Sequence, residues 1–188
     1  MIKKLCFPLL IACSILTLSI ALAAPMEVVG PEVEIKENNI IVNSGINNVK
    51  EFEEAIKSGV AKEIVFKIEL LRYWRFWPDE FVVSKKITRA VKFDILRDQY
   101  LVSSLYGNSL IEKHFKNYNL MMDGIFTTGA VNLANIKELD PGKYYVRVVV
   151  ESTSTGEPPV VGFLMHFIPE ADMRITKESK SFIVGVGK

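Results

Sequence analysis

Between Glu63 and Val102 the chain alternates apolar and polar residues with a period of two, and this pattern limits the fold more than any other feature. Ile64, Phe66, Ile68 and Leu70 share one face of an extended segment, while Glu63, Lys67 and Glu69 share the other. One buried face and one wet face indicate an antiparallel sheet. Trp77-Pro78-Asp79-Glu80 reads as the turn that follows, because proline cannot donate to a ladder and presets a turn dihedral. The next strand is expected to place Phe81, Val83, Ile87, Val91, Phe93 and Ile95 on one face. Lys85 and Arg89 interrupt that face, so the pattern predicts either a bulge there or two side chains that snorkel at an edge. Arg97-Asp98 turns the chain, and Tyr100 to Ser103 returns.

Upstream, Pro25 to Pro31 reads as a leader. Glu32 to Ile35 and Ile40 to Val42 flank Glu37-Asn38-Asn39 as a hairpin. Asn48 and Glu51 have the spacing of a capping box, Val49, Phe52 and Ile56 form an apolar stripe, and Gly59 ends the helix. Downstream, Ser109 and Glu112 suggest a second capping box, opening a helix that carries Ile111, Phe115, Tyr118 and Met122. A short strand over Gly124 to Thr128 and a turn of helix near Leu133 are expected next. Leu139-Asp140-Pro141-Gly142-Lys143-Tyr144 then leads into a long alternating strand. Pro141, Gly142 and Tyr144 match a tyrosine corner, in which the phenol bonds back to the preceding turn. Ser152 to Pro159 reads as a loop, Val160 to Ile168 as a strand and Ser181 to Val186 as a last strand. These elements predict a mainly β protein, an antiparallel immunoglobulin-like β-sandwich with two short helical insertions.

The first 23 residues read as a signal peptide and residues 24–188 as a single domain. Lys3 and Lys4 precede an uncharged run, and Ala21 and Ala23 form an A-x-A cleavage signal. The run from residue 5 to 24 is also about long enough to span a bilayer, so an uncleaved inner-membrane anchor is the alternative. Leu10-Ile11-Ala12-Cys13 resembles a lipidation site, but the apolar run continues beyond Cys13. Both cysteines, Cys6 and Cys13, fall inside this segment, so a cleaved chain has neither a disulfide nor a thiolate. The remaining 165 residues suffice for one domain that buries roughly 70% of its unfolded surface. Loss of Lys3 and Lys4 leaves 21 basic against 22 acidic residues, which is no footprint for nucleic acid.

No motif points to catalysis. His114 and His166 lack metal-ligand spacing, Asp79-Glu80 are adjacent residues that point apart at a turn, and no serine lies in a nucleophile elbow. No glycine loop of the phosphate-binding kind occurs, and no cofactor is expected. Tyr73, Trp74, Phe76 and Trp77, interleaved with Arg72 and Arg75 and closed by Asp79, are the residue types found at binding hot spots. In a strand, half of them would point into the core. A binding role requires at least one Trp to be exposed beside an Arg.

Ser58-Gly59-Val60, Ile64 to Leu70, Tyr73 to Asp79, Phe93 to Tyr100 and the L-x-P-G-x-Y segment at Leu139 to Tyr144 together resemble an exported proteobacterial family known only as a domain of unknown function. The resemblance covers most of the mature chain. It implies a periplasmic or membrane-anchored location, and in some relatives a gene beside a nitrogen-regulation-type sensor histidine kinase. It implies no activity. The function expected from these readings is non-enzymatic binding of another envelope protein, such as a sensor histidine kinase, through Arg72, Trp74, Arg75, Phe76, Trp77 and Asp79. The alternatives are a small-molecule or glycan-binding module that uses the same rings, and a hydrolase with a dispersed site.

Overall fold

A computed structural model describes residues 25–154 and 173–185. They form ten strands, two α-helices and one 3-10 turn. In chain order these are β1 (Glu27–Lys36), β2 (Asn39–Asn47), α1 (Lys50–Lys57), β3 (Lys62–Arg72), β4 (Glu80–Asp94), β5 (Gln99–Tyr106), β6 (Ser109–Phe115), α2 (Tyr118–Ile125), β7 (Val131–Asn135), the 3-10 turn (Ile136–Glu138), β8 (Gly142–Ser154), β9 (Met173–Glu178) and β10 (Phe182–Val184). All the strand pairings are antiparallel. A small sheet has the order β1-β2-β7. A large one has the order β10-β8-β3-β4-β5-β6, with β9 also paired to β8. The protein is therefore a mainly antiparallel β-sandwich carrying two short helices. The tyrosine corner expected at Pro141, Gly142 and Tyr144 is present: the Tyr144 hydroxyl donates to the Asp140 carbonyl at 2.7 Å.

β3 is the spine of the large sheet. It pairs with β4 on one side and with β8 on the other over its whole length, Lys62 to Arg72. Ile64, Phe66, Ile68 and Leu70 are fully buried, and opposite them lie Val146, Val148 and Val150 of β8, also fully buried. The same core takes in Val28, Ile40, Val42 and Ile46 from the small sheet, Phe52 and Ile56 from α1, and Met121 and Ile125 from α2. The alternation at residues 63–70 thus marks the layer between the sheets and under the helices.

Several local expectations are corrected. α1 begins without a capping box: Val49 is its N-cap and makes no side-chain cap bond. Asn48 has a left-handed backbone (φ 59°), which turns the chain into the helix, and its amide reaches the Pro25 carbonyl instead. The end of α1 matches expectation. Gly59 (φ 87°) follows the last turn, its N–H donates to Ile56, and the Val60 N–H donates to Ala55, a Schellman arrangement. The second helix does not start at Ser109. That residue opens β6, and Gly107-Asn108 form a two-residue hairpin loop, since Tyr106 faces Ser109 in the β5–β6 ladder. The helix starts at Tyr118, where the Asn117 side chain caps the N–H groups of Asn119 and Leu120. Gly124 lies in the last turn of that helix, not at the start of a strand, and Leu133 itself lies in β7, the turn of helix expected near it being the 3-10 turn at Ile136–Glu138. Part of the expected leader, from Glu27, is already β1, and Ser152–Ser154 belong to β8, not to a loop. The expected strand at residues 160–168, the signal segment with Ala21 and Ala23, and His166 lie outside the described residues.

The largest correction concerns β4. No bulge occurs at Lys85 or Arg89. It occurs at Val82, where Leu70 faces Val83 but Leu71 faces Phe81. The extra residue flips Phe81 to the outer face and leaves it 57% exposed. Ile95 is likewise not on the buried face, because it sits in the β4–β5 turn. Lys85 reaches solvent, whereas Arg89, opposite Ile64, is only 5% exposed. Its Nη1 donates to the carbonyls of Gly124, Ile125 and Thr127, and its Nη2 to the Tyr106 hydroxyl at 2.9 Å. A helix leaves its last four carbonyls unpaired and carries negative charge at that end, so the guanidinium caps α2 from inside the sandwich. Three residues past the end of α2, Thr128 exchanges hydrogen bonds with Ser44 of β2, so this segment joins the two sheets.

Replacing Arg89 by Met removes this donor from the Gly124 and Ile125 carbonyls at the end of α2 and is expected to destabilise the fold by about 3 kcal/mol or more. Lys85→Met, on the same strand face, is expected to stay within about 0.5 kcal/mol. Urea denaturation of the two variants checks the contrast.

Candidate functional site

β3 ends at Arg72, β4 begins at Glu80, and the seven residues between them form an aromatic turn at one end of the large sheet. None of its rings enters the core. Tyr73 is 44% exposed, Trp74 41%, Phe76 85% and Trp77 77%. Strand parity would have buried half of them, but the turn is not strand, so parity does not apply.

The turn is closed by its own polar groups. The Trp74 N–H donates to Asp79 Oδ1 at 3.0 Å, spanning the loop, and the indole Nε1 donates to Glu80 Oε2 at 3.3 Å. The other Asp79 oxygen accepts from the Tyr145 hydroxyl at 2.8 Å. Tyr145 accepts in turn from Arg147 at 3.1 Å, and Arg147 pairs with Glu178 at 2.9 Å. Leu71 and Tyr145 face each other on the outer side of the sheet and are both buried, which roots the turn on β8. The Trp74 hydrogen bond, then the Tyr145 hydroxyl, hold the Asp79 carboxyl below its usual range, with Arg147 adding to the effect. Burial, followed by the bond to Asp79, pushes the Tyr145 phenol up to about 12.

Cations lie over the rings. The Arg72 guanidinium is 4.6 Å from the Trp74 ring centre, the Lys143 ammonium is 4.8 Å from Tyr73, and the Arg75 guanidinium is 5.3 Å from Phe76. Trp74 is thus an exposed indole beside an Arg. Arg72 also ties the turn to the tyrosine corner, because it donates to the Pro141 carbonyl at 2.8 Å and pairs with Asp140 at 3.4 Å. A side chain at Gly142 would come within 2.8 Å of the Arg72 Nε, so the glycine makes room for the guanidinium. Pro141, Gly142 and Tyr144 therefore belong to the same structural unit as the turn.

The other candidates are scattered. His114 lies exposed on β6. Asp94 caps its own turn through the N–H groups of Leu96 and Arg97, and Ser103 donates to Glu112. Among the described residues no group of His, Cys, Asp or Glu could hold a metal ion, and no helix is long and apolar enough to cross a membrane. Sequence reasoning missed Tyr145, Lys143, Arg147 and Phe81. The first three alternate with the core residues of β8, which places them on its outer face, but nothing in that alternation ties them to the turn. Their meeting with Asp79 depends on the β3–β8 register, and Phe81 depends on the bulge.

The fold and the turn define an antiparallel β-sandwich that presents an exposed aromatic loop closed by hydrogen bonds. The chain belongs to the family described as Domain of unknown function (DUF4390), whose model matches residues 23–179. No curated protein and no solved structure matches it.

Because the folded-state pKa of Asp79 is depressed, the stability it adds is complete above the unfolded value and is lost as pH falls through the lowered one. Tryptophan emission is therefore expected to change in a step below pH about 4, when the carboxylate releases Trp74 and Tyr145. The step is expected to vanish in Asp79→Asn and to persist in Glu80→Gln. A fluorescence titration of the three proteins measures it.

Proposed function

We propose that the chain is an exported, non-catalytic sandwich that binds another envelope protein through the 73–79 turn. A membrane sensor histidine kinase is one partner consistent with the family resemblance. The N-terminal signal pattern supports export. The observation that carries the binding reading is the exposure of Phe76 and Trp77 on a loop whose backbone is already fixed by Asp79. Rigid aromatic side chains on an ordered loop lose little entropy on binding, and Trp, Tyr and Arg dominate binding energy at interfaces. A glycan module would need bare, parallel ring faces. Here Arg72, Lys143 and Arg75 lie over one face of Trp74, Tyr73 and Phe76.

The test is in-cell photo-crosslinking from position 74 or 77, with position 96 as the control. Leu96 is fully exposed in the turn at the far end of β4. The expected result is one envelope protein captured from the aromatic turn and absent from the control. Trp77→Ala is expected to reduce its capture from position 74 by about ten-fold, as for loss of a hot-spot ring. Equal capture from both ends of the sheet would sink the reading.

A further inference from the structure

A second feature lies away from the aromatic turn, between the inner face of the β5–β6 hairpin and α2. A cavity of about 140 Å³ opens there, and Arg89, Lys113, Ser104 and Tyr106 supply its polar lining. Phe115 of β6 and Met121 of α2 contribute apolar wall. Among the described residues no acidic side chain lines it, and neither Arg89 nor Lys113 pairs with a carboxylate.

That charge balance is unusual for an interior. Arg89 is nearly completely buried, and its hydrogen-bond partners among the described residues are neutral: three carbonyl oxygens and one phenol. The end of a helix offsets at most about half an elementary charge, so a net positive potential faces the cavity. Lys113 adds a second cation on the same face of the hairpin. The Tyr106 hydroxyl accepts from Arg89 and so keeps its own proton to donate. Two cations and a hydroxyl donor above an apolar wall are complementary to an anion with an apolar body, and the volume suits a ligand about the size of one six-membered ring.

We infer that this cavity binds a small organic monocarboxylic acid, with the carboxylate between Arg89 and Lys113 and the apolar body against Phe115 and Met121. The inference is independent of the aromatic turn and of any partner bound there. The apolar wall selects an organic acid over inorganic phosphate, and the uncompensated charge selects the acid over a neutral molecule of the same shape.

The probes are benzoate, its neutral counterpart benzamide, and inorganic phosphate, titrated into the purified protein with calorimetry and the Met121 methyl resonance as readouts. Benzoate is expected to bind saturably and to shift Met121, with benzamide and phosphate at least about ten-fold weaker. Arg89 also caps α2, so the charge is tested at Lys113, which is exposed. Lys113→Gln is expected to weaken benzoate about three- to ten-fold and to leave benzamide unchanged. Absence of saturable benzoate binding, or binding without a Met121 shift, overturns the site. Equal affinity for benzamide or for phosphate overturns the assigned ligand class, as does a Lys113→Gln variant that binds benzoate as the parent does.

Discussion

The structure depends on a single constraint: β3 is paired on both sides along its full length. A strand with two such neighbours has no free backbone, so its direction, register and end point are fixed together. Its inner residues become the layer against which the small sheet and both helices pack. Its last paired residue, Arg72, fixes where the chain leaves the sheet, and so where the aromatic turn stands. With Leu71 and Tyr145 buried beneath it, the turn rests on a surface that cannot shift without breaking the ladder.

Two arginines at opposite parts of this sheet do related work. Arg72 binds the Pro141 carbonyl and Asp140 and lies over Trp74, so the corner before β8 and the turn after β3 form one unit. Arg89 binds the carbonyls at the end of α2, so the segment that crosses from the large sheet to the small one is held from within. Each guanidinium satisfies backbone groups that no regular ladder reaches, which its fan of donors suits. The difference is exposure. Arg72 is balanced by nearby carboxylates at the surface, whereas Arg89 keeps its charge in the interior, and the cavity beside it inherits that charge.

Much of this was legible in the sequence, and the remainder was hidden for definite reasons. The period-two alternation of Ile64 to Leu70 named the buried face of β3, and Asp140-Pro141-Gly142 with Tyr144 named the corner, because both signals are local. Ser109 to Met122 failed because Ile111 and Phe115 fit a helical spacing and a strand face equally well, and Ser109 with Glu112 mimics a capping box although Gly107-Asn108 just before them closes a hairpin. Phe81 failed because a single bulged residue, Val82, reverses parity and leaves no mark in composition. Arg89 read as an interruption because a charged residue on an apolar face has meaning only once its partners, 35 to 38 residues away, are placed. The exposure of the aromatic turn was undecidable for a related reason, since alternation describes strands and the rings lie beyond the last ladder pair.

The aromatic turn stands outside the core on a backbone held by Asp79. The chain has two tryptophans, Trp74 and Trp77, and both lie in this turn, so its fluorescence reports on nothing else. Acrylamide quenching of a Trp74→Phe protein isolates Trp77 in the folded state. Red-shifted emission is expected, with quenching close to that of the same protein unfolded in urea. Blue-shifted emission and strong protection from acrylamide would contradict it, because Trp77 would then be part of the core.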